Sequence, residues 1–466
     1  VLPRLEIVAR HRPIDIVAAG QGPVAPEGLL PLLAPHGAVE AALPATGAAR
    51  IAITGPDGTV LAAVWDGRRV ALDVAGGRHR SRRHGRPAPG AERLALTLTG
   101  RHLAALTRAG GTWTVRARVD LARVLPRLDV RDPGWLAGLR HTVTGGGEVR
   151  AGAFGQLGLR DVRLVSEADG SPYSPEGEDC VLFTATSAGP GFFDTAHTSV
   201  WALHPDDSIT HRGDLFFTRP DRPGVYGDHA SHLLRDGDRW LVATSTWADF
   251  PAERRARGSA RVAVTLAEST ADLTRGRHVL AARELALPTV GPSVGVWDPH
   301  LVRPHGPDGP DDADGAGRGW LVGYVSARRF FDFHPVVAAG PTLDQLVVRG
   351  AATDRRATEG TTLHRDGARW CVLASDGRDN PPDVRGRFSV FDLAMDEIGT
   401  LDAPYPTNIP WPTVVPPAPD EPGSADGADG PDAGWRLITF NGSPSGGALV
   451  GYGTHGDVVV MRERRN

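Results

Sequence analysis

The chain has 466 residues, of which 51 are basic, all of them Arg, and 55 are acidic, for a formal net charge of −4. So even a balance gives nucleic acid or an anionic membrane no electrostatic claim as partner. No apolar run reaches the roughly 18 residues of a membrane span, so the sequence reads as soluble. The 58 Gly and 39 Pro supply turns for many short strands, and the length allows two domains.

Residues 1–155 carry alternating apolar and polar runs: Ala49–Thr54, Val60–Trp65, Val70–Val74, Leu94–Leu98, Leu103–Thr107 and Thr112–Val119. Gly-Asp, Asp-Gly and Gly-Gly turns separate them. Period-two alternation with hairpin turns predicts an antiparallel β-sandwich of jelly-roll or lectin type. Within it, Gly77–Pro89 is rich in Arg and His and reads as an exposed basic loop.

From about residue 156 a phrase recurs five times, roughly every 50–70 residues: a polar residue, a short apolar strand, a turn, then a second apolar strand, Trp-led in four of the five copies. The anchors are Asp161, Asp228, Asp298, Glu359 and Trp411, and the Trp residues are Trp240, Trp320, Trp370 and Trp435. Each repeat holds about four strand-sized runs, matching a propeller blade. The predicted fold is therefore all-β, a C-terminal five-bladed β-propeller over 156–466 preceded by the sandwich over 1–155. The last blade is expected to close on Ala448–Tyr452 and Val458–Arg462. Gly306–Gly319 and Pro417–Gly434 read as loops between first and second strands. The recurring Trp residues pack blade on blade.

Cys180 and Cys371 fall on non-adjacent blades, which predicts two free buried thiols. The chain begins at Val1 without an initiator Met, which leaves a removed leader open. Compartment and oligomeric state are not legible.

In a propeller the first strands line the axis, so Asp161, Asp228, Asp298 and Glu359 are expected to converge on one face. Carboxylates gathered in one funnel repel, which drives their pKa values apart and leaves one as acid and another as base. Glycoside hydrolysis needs that division. Asp194, in a loop of blade one, is a reserve candidate for the base, and Asp228 is the better candidate for a sugar hydroxyl. His229 and His300 fall on inner strands, with His300 two residues past Asp298 and so expected on the same side. Trp297, Arg328, Phe331 and Trp411 sit near strand ends where rings cover sugar faces and Arg holds oxygens. No His spacing suits a catalytic zinc, and no cofactor is expected.

The segments Asp161-Val-Arg-Leu-Val, Trp297-Asp-Pro-His-Leu-Val and Thr358-Glu-Gly-Thr resemble the catalytic segments of five-bladed glycoside hydrolases, with the arabinanase and β-xylosidase family, glycoside hydrolase family 43, nearest. The resemblance implies Asp161 as general base, Asp298 as pKa modulator and Glu359 as general acid. It implies an inverting hydrolase of a furanosidic bond in an arabinose-containing saccharide, with a structural Ca²⁺ on the axis as an option. Two alternatives stay open: a retaining fructofuranosidase of the same clan, whose Trp-Met-Asn-Asp-Pro and Glu-Cys signatures are missing, and a non-catalytic carbohydrate-binding propeller.

Overall fold

The computed structural model describes residues 3–87, 90–250, 261–304, 319–330, 332–367, 369–417, 434–442 and 456–464. Alternation along the N-terminal runs becomes two six-stranded antiparallel sheets. One takes Asp15–Val17, His36–Ala42, Arg93–Thr99, His102–Ala109, Thr112–Asp120 and Val149–Gln156; the other takes Glu27–Leu29, Ala49–Thr54, Val60–Trp65, Val70–Val74, Gly77–His79 and Arg140–Thr144. Inward residues such as Val39, Ile51, Ile53, Leu61, Leu96 and Leu103 form one buried cluster between them.

The rest folds into five four-stranded antiparallel meanders. The first runs through Leu159–Leu164, Val181–Ser187, His197–Leu203 and Ile209–Thr218; the second through His229–Asp236, Arg239–Ser245, Val264–Ser269 and Gly276–Glu284. Their outer strands pair in parallel, fusing the two into one sheet; Gly213 sits opposite Gly276, where a Cβ would lie 2.4 Å from the Gly276 carbonyl oxygen. The third meander is Gly295–Val302, Trp320–Arg329, Asp332–Gly340 and Val347–Ala351. The fourth is Thr358–Asp366, Arg369–Asp376, Arg387–Phe391 and Glu397–Thr400. Burial falls from inner to outer strand: every residue of Gly295–Val302 is buried, and every residue of Glu397–Thr400 is exposed. Inner strands packed on both faces and outer strands in water give a propeller-like arrangement.

Thr413–Val415, Arg436–Asn441 and Asp457–Glu463 make the fifth meander, and its fourth strand comes from the other end of the chain. Leu5–His11 pairs antiparallel with Asp457–Glu463. The sandwich sheets thus begin at Asp15, and the expected boundary of 1–155 is corrected, because its first strand closes the last meander. Periodicity identifies a strand but carries nothing about a partner more than 400 residues away. The expected strand Ala448–Tyr452 lies outside the described residues.

Trp240, Trp320 and Trp370 are buried in the clusters joining their own meander to its neighbour, and Trp435 packs against the cluster shared by meanders four and five. Each indole removes a large apolar area from water at a sheet-on-sheet contact. Cys180 and Cys371 are free and buried. No helix among the described residues is long and apolar enough to cross a membrane.

Candidate functional site

In each of the first four meanders the inner strand bulges at the same place. The pairing register slips between Arg160 and Arg163, His229 and His232, Trp297 and His300, and Glu359 and Thr362. The second residue of each bulge is left-handed: Asp161 at φ 51°, Ala230 at 60°, Asp298 at 59° and Gly360 at 73°. A side-chain-bearing residue held there costs about 1–2 kcal/mol, and such bulges re-aim side chains beside functional sites. At Gly360 only hydrogen fits, since a Cβ would lie 2.6 Å from the Trp411 ring.

The bulges reset the register expected from sequence. Asp161 and Asp298 are equivalent, Glu359 stands one residue earlier with Arg160 and Trp297, and Asp228 stands two residues ahead of Ala230. Asp161, Asp298 and Glu359 still meet. They line a cavity of about 230 Å³ together with Arg160, Arg378, Asp379 and Asn408, under rings that include Trp297 and Trp411. Phe193, Trp247, Phe250, Phe330 and Phe333 complete the aromatic wall, with Trp297 and Phe330 stacked at 6.1 Å between centroids.

Burial and mutual repulsion raise the pKa values of two carboxyls on this floor. Burial, reinforced by the Asp161 charge, pushes the Glu359 carboxyl up to about 8, although Glu359 keeps partial exposure to the cavity. The indoles of Trp411 and Trp297 face it and pull the other way; the Trp411 N–H is buried without a protein hydrogen bond of normal geometry. Burial, with Glu359 and Asp161 adding to it, raises Asp298 well above the carboxylate range, and its Oδ2 is buried without a hydrogen bond. Asp161 has the Arg160 guanidinium 3.8 Å away.

Beneath the carboxylates lies Arg163, only 1% exposed, which the sequence reading passed over. Its guanidinium donates to the carbonyl oxygens of Thr361 (3.0 Å) and Asp298 (3.3 Å) and to Thr362 Oγ1 (2.9 Å), and lies 4.7 Å over the Trp411 ring. One side chain of the first meander thereby ties together residues of the third, fourth and fifth. Burial lowers its pKa to about 10, against the pull of Asp298 and Asp161, so it remains a cation at neutral pH.

Several expected site residues are placed elsewhere. Asp228 is fully buried in an ion pair with Arg219 (Nε to Oδ2 2.7 Å) and accepts from the Ala248 amide: a structural carboxylate, because Arg219 claims both its oxygens. Asp194 is fully buried against the sandwich, accepting from His102 Nε2 at 2.8 Å with Arg101 3.6 Å away. Burial alone would raise its pKa, but His102, Arg101 and Arg118 outweigh it and hold it low. His300 does not share the Asp298 side, since the bulge breaks strict alternation. Its Nδ1 accepts from the Leu363 amide at 2.9 Å, and it lines a separate cavity of about 210 Å³ with Ser166 and His364. His229 is fully buried behind Ala230, with Nδ1 bonded to the Gly227 carbonyl. Arg328 is spent on Asp332 and the carbonyls of Thr353 and Arg355. Phe331 lies outside the described residues.

A Ca²⁺ on the axis does not fit the residues there. The first paired positions after the four bulges hold Arg163, His232, His300 and Thr362: a guanidinium, a hydroxyl and two imidazoles whose Nδ1 atoms already accept backbone amides. Ca²⁺ calls for six to eight oxygens. Among the described residues no cluster of three metal-ligating side chains is found.

No family model matches the chain, and no curated protein matches it. Among solved structures it is similar to levansucrase from Bacillus subtilis, at 10% identity and TM-score 0.42 over 61% of this chain and 79% of that one. A GH43_1 enzyme from Xanthomonas citri follows at 13% identity and TM-score 0.37, over 63% and 86%. A Bombyx mori GH32 β-fructofuranosidase matches at 13% and 0.40, over 65% and 59%. The likeness is remote, spans several glycoside hydrolase families and singles out none.

Proposed function

We propose that the five meanders form a five-bladed propeller and that the chain is a glycoside hydrolase acting on a furanosidic bond of an arabinose-type saccharide, with inversion. The observation that carries this reading is the meeting of Asp161, Asp298 and Glu359 from three separate meanders in one aromatic-walled cavity. Glu359, held near 8, still has its proton at neutral pH and gives it to the leaving oxygen. Asp161, flanked by Arg160 and Arg163, activates a water on the opposite face of the sugar. Asp298, its pKa raised by burial with Glu359 and Asp161 adding to it, modulates the acid and holds it in place. The rings cover the faces of the sugar, and Asn408 and Arg378 supply polar contacts at the mouth.

Sugar release from a panel of aryl furanosides and arabinans tests this, comparing the wild type with Glu359→Gln and following the first anomer by NMR. Release that collapses in the variant, with the inverted anomer first, is expected. A retained first anomer refutes inversion, and release that survives the substitution refutes Glu359 as the acid.

A further inference from the structure

The hairpin tip at Asp66–Arg69 and the loop after the edge strand Gly77–His79 come together on one margin of the sandwich, joined by the Val70 amide donating to the Gly85 carbonyl at 2.8 Å. This brings two segments carrying six exposed arginines to one margin: Arg68, Arg69, Arg80, Arg82, Arg83 and Arg86. Among the described residues none of the six has an ion-pair partner. The two carboxylates of the segment are occupied: Asp73 by Arg78 (Nε to Oδ1 2.9 Å), and Asp66 by the backbone amides of Arg68 and Arg69 at 2.9 and 2.7 Å. Such a concentration of cations stands out on a chain whose formal net charge is −4. Self-repulsion among them is relieved by an anionic partner.

We propose that this margin of the sandwich is a docking surface for an acidic polysaccharide, a glycan chain carrying repeated carboxylate groups. Residues 66–87 contain no Phe, Tyr or Trp on which a nucleobase could stack. None of the large exposed apolar side chains falls in this stretch, so nothing there would enter a lipid surface. What the surface offers is planar guanidiniums in series, which pair bidentately with carboxylates. A repeating uronate chain presents such carboxylates at regular intervals. The choice of a glycan over other polyanions rests on the glycosidase reading of the cavity; the cationic surface itself does not.

The test is binding of the full chain to polygalacturonate, with neutral arabinan, duplex DNA and anionic vesicles as comparisons, at low and high salt. The comparison protein carries Arg80→Gln, Arg82→Gln, Arg83→Gln and Arg86→Gln together. The expected result is salt-sensitive binding to polygalacturonate, little to arabinan, and affinity weakened about tenfold or more in the variant at unchanged melting temperature. Hydrolysis of a small aryl furanoside, if the wild type shows it, is unchanged in the variant. Binding that the four substitutions leave intact overturns the proposal, as does no binding to polygalacturonate. Binding to DNA or vesicles as tight as to polygalacturonate overturns the glycan assignment. Binding is read without turnover, so an inactive cavity and an inert surface give different results.

Discussion

Replacing Glu359 by Gln should stabilise the protein at alkaline pH and do little near pH 4. Glu359 is held near 8 against an ordinary 4.5. A carboxyl raised on folding contributes stability that is whole below the unfolded value and is lost as pH rises through the folded one, because between the two the native state binds a proton that the unfolded chain does not. At 1.36 kcal/mol per pH unit the gap amounts to about 5 kcal/mol. Exposure of Glu359 to the cavity, and its coupling to the neighbouring buried carboxyl of Asp298, bring the expected difference to about 2–3 kcal/mol. Gln has the same shape and no charge to bury. Chemical denaturation of both proteins from pH 4 to 9 should give curves that coincide at the acid end, diverge from about pH 4.5 and run parallel again above about pH 8, the variant being the more stable. A difference independent of pH, or a variant less stable at pH 8.5, would refute the account of the cavity floor.

Asp194→Ala should cost about 3–5 kcal/mol by denaturation, because it strands His102 and Arg101 beside an emptied buried site. The same change loosens the Phe193–Thr195 turn that brings Phe193 into the cavity, so KM should rise more than kcat falls. Arg163→Met should lower stability by several kcal/mol, at about 1–3 for each buried acceptor left without a donor, and Arg163→Lys should recover only part of it, since an ammonium cannot span Thr361, Thr362 and Asp298 together. Melting of Arg163→Met with the wild type would refute its place at the axis.

Much of the architecture was legible because strand alternation, turn residues and the recurring Trp are local signals. Trp240, Trp320 and Trp370 mark meander junctions in the sequence and in the fold alike. The chain as written also named the three carboxylates that share the cavity, Asp161, Asp298 and Glu359, and the rings of Trp297 and Trp411 over them. It could not show the bulges. A bulge adds one residue against a partner strand and turns every later side chain to the other face, so His300, placed by simple counting, falls outside the cavity, while Asp228, two residues ahead of Ala230, falls short of the position that Asp161 and Asp298 share. Nor could it show pairings between distant segments. The Asp194 carboxylate is claimed by His102 of the sandwich, and Leu5–His11 closes a sheet with Asp457–Glu463. Composition and periodicity determined that this protein is built of many short antiparallel strands, because turn chemistry and alternation act over a few residues. Which carboxylates hold protons, which are locked in ion pairs and which cation sits beneath them was decided by tertiary structure alone, because burial and charge proximity are properties of neighbours in space.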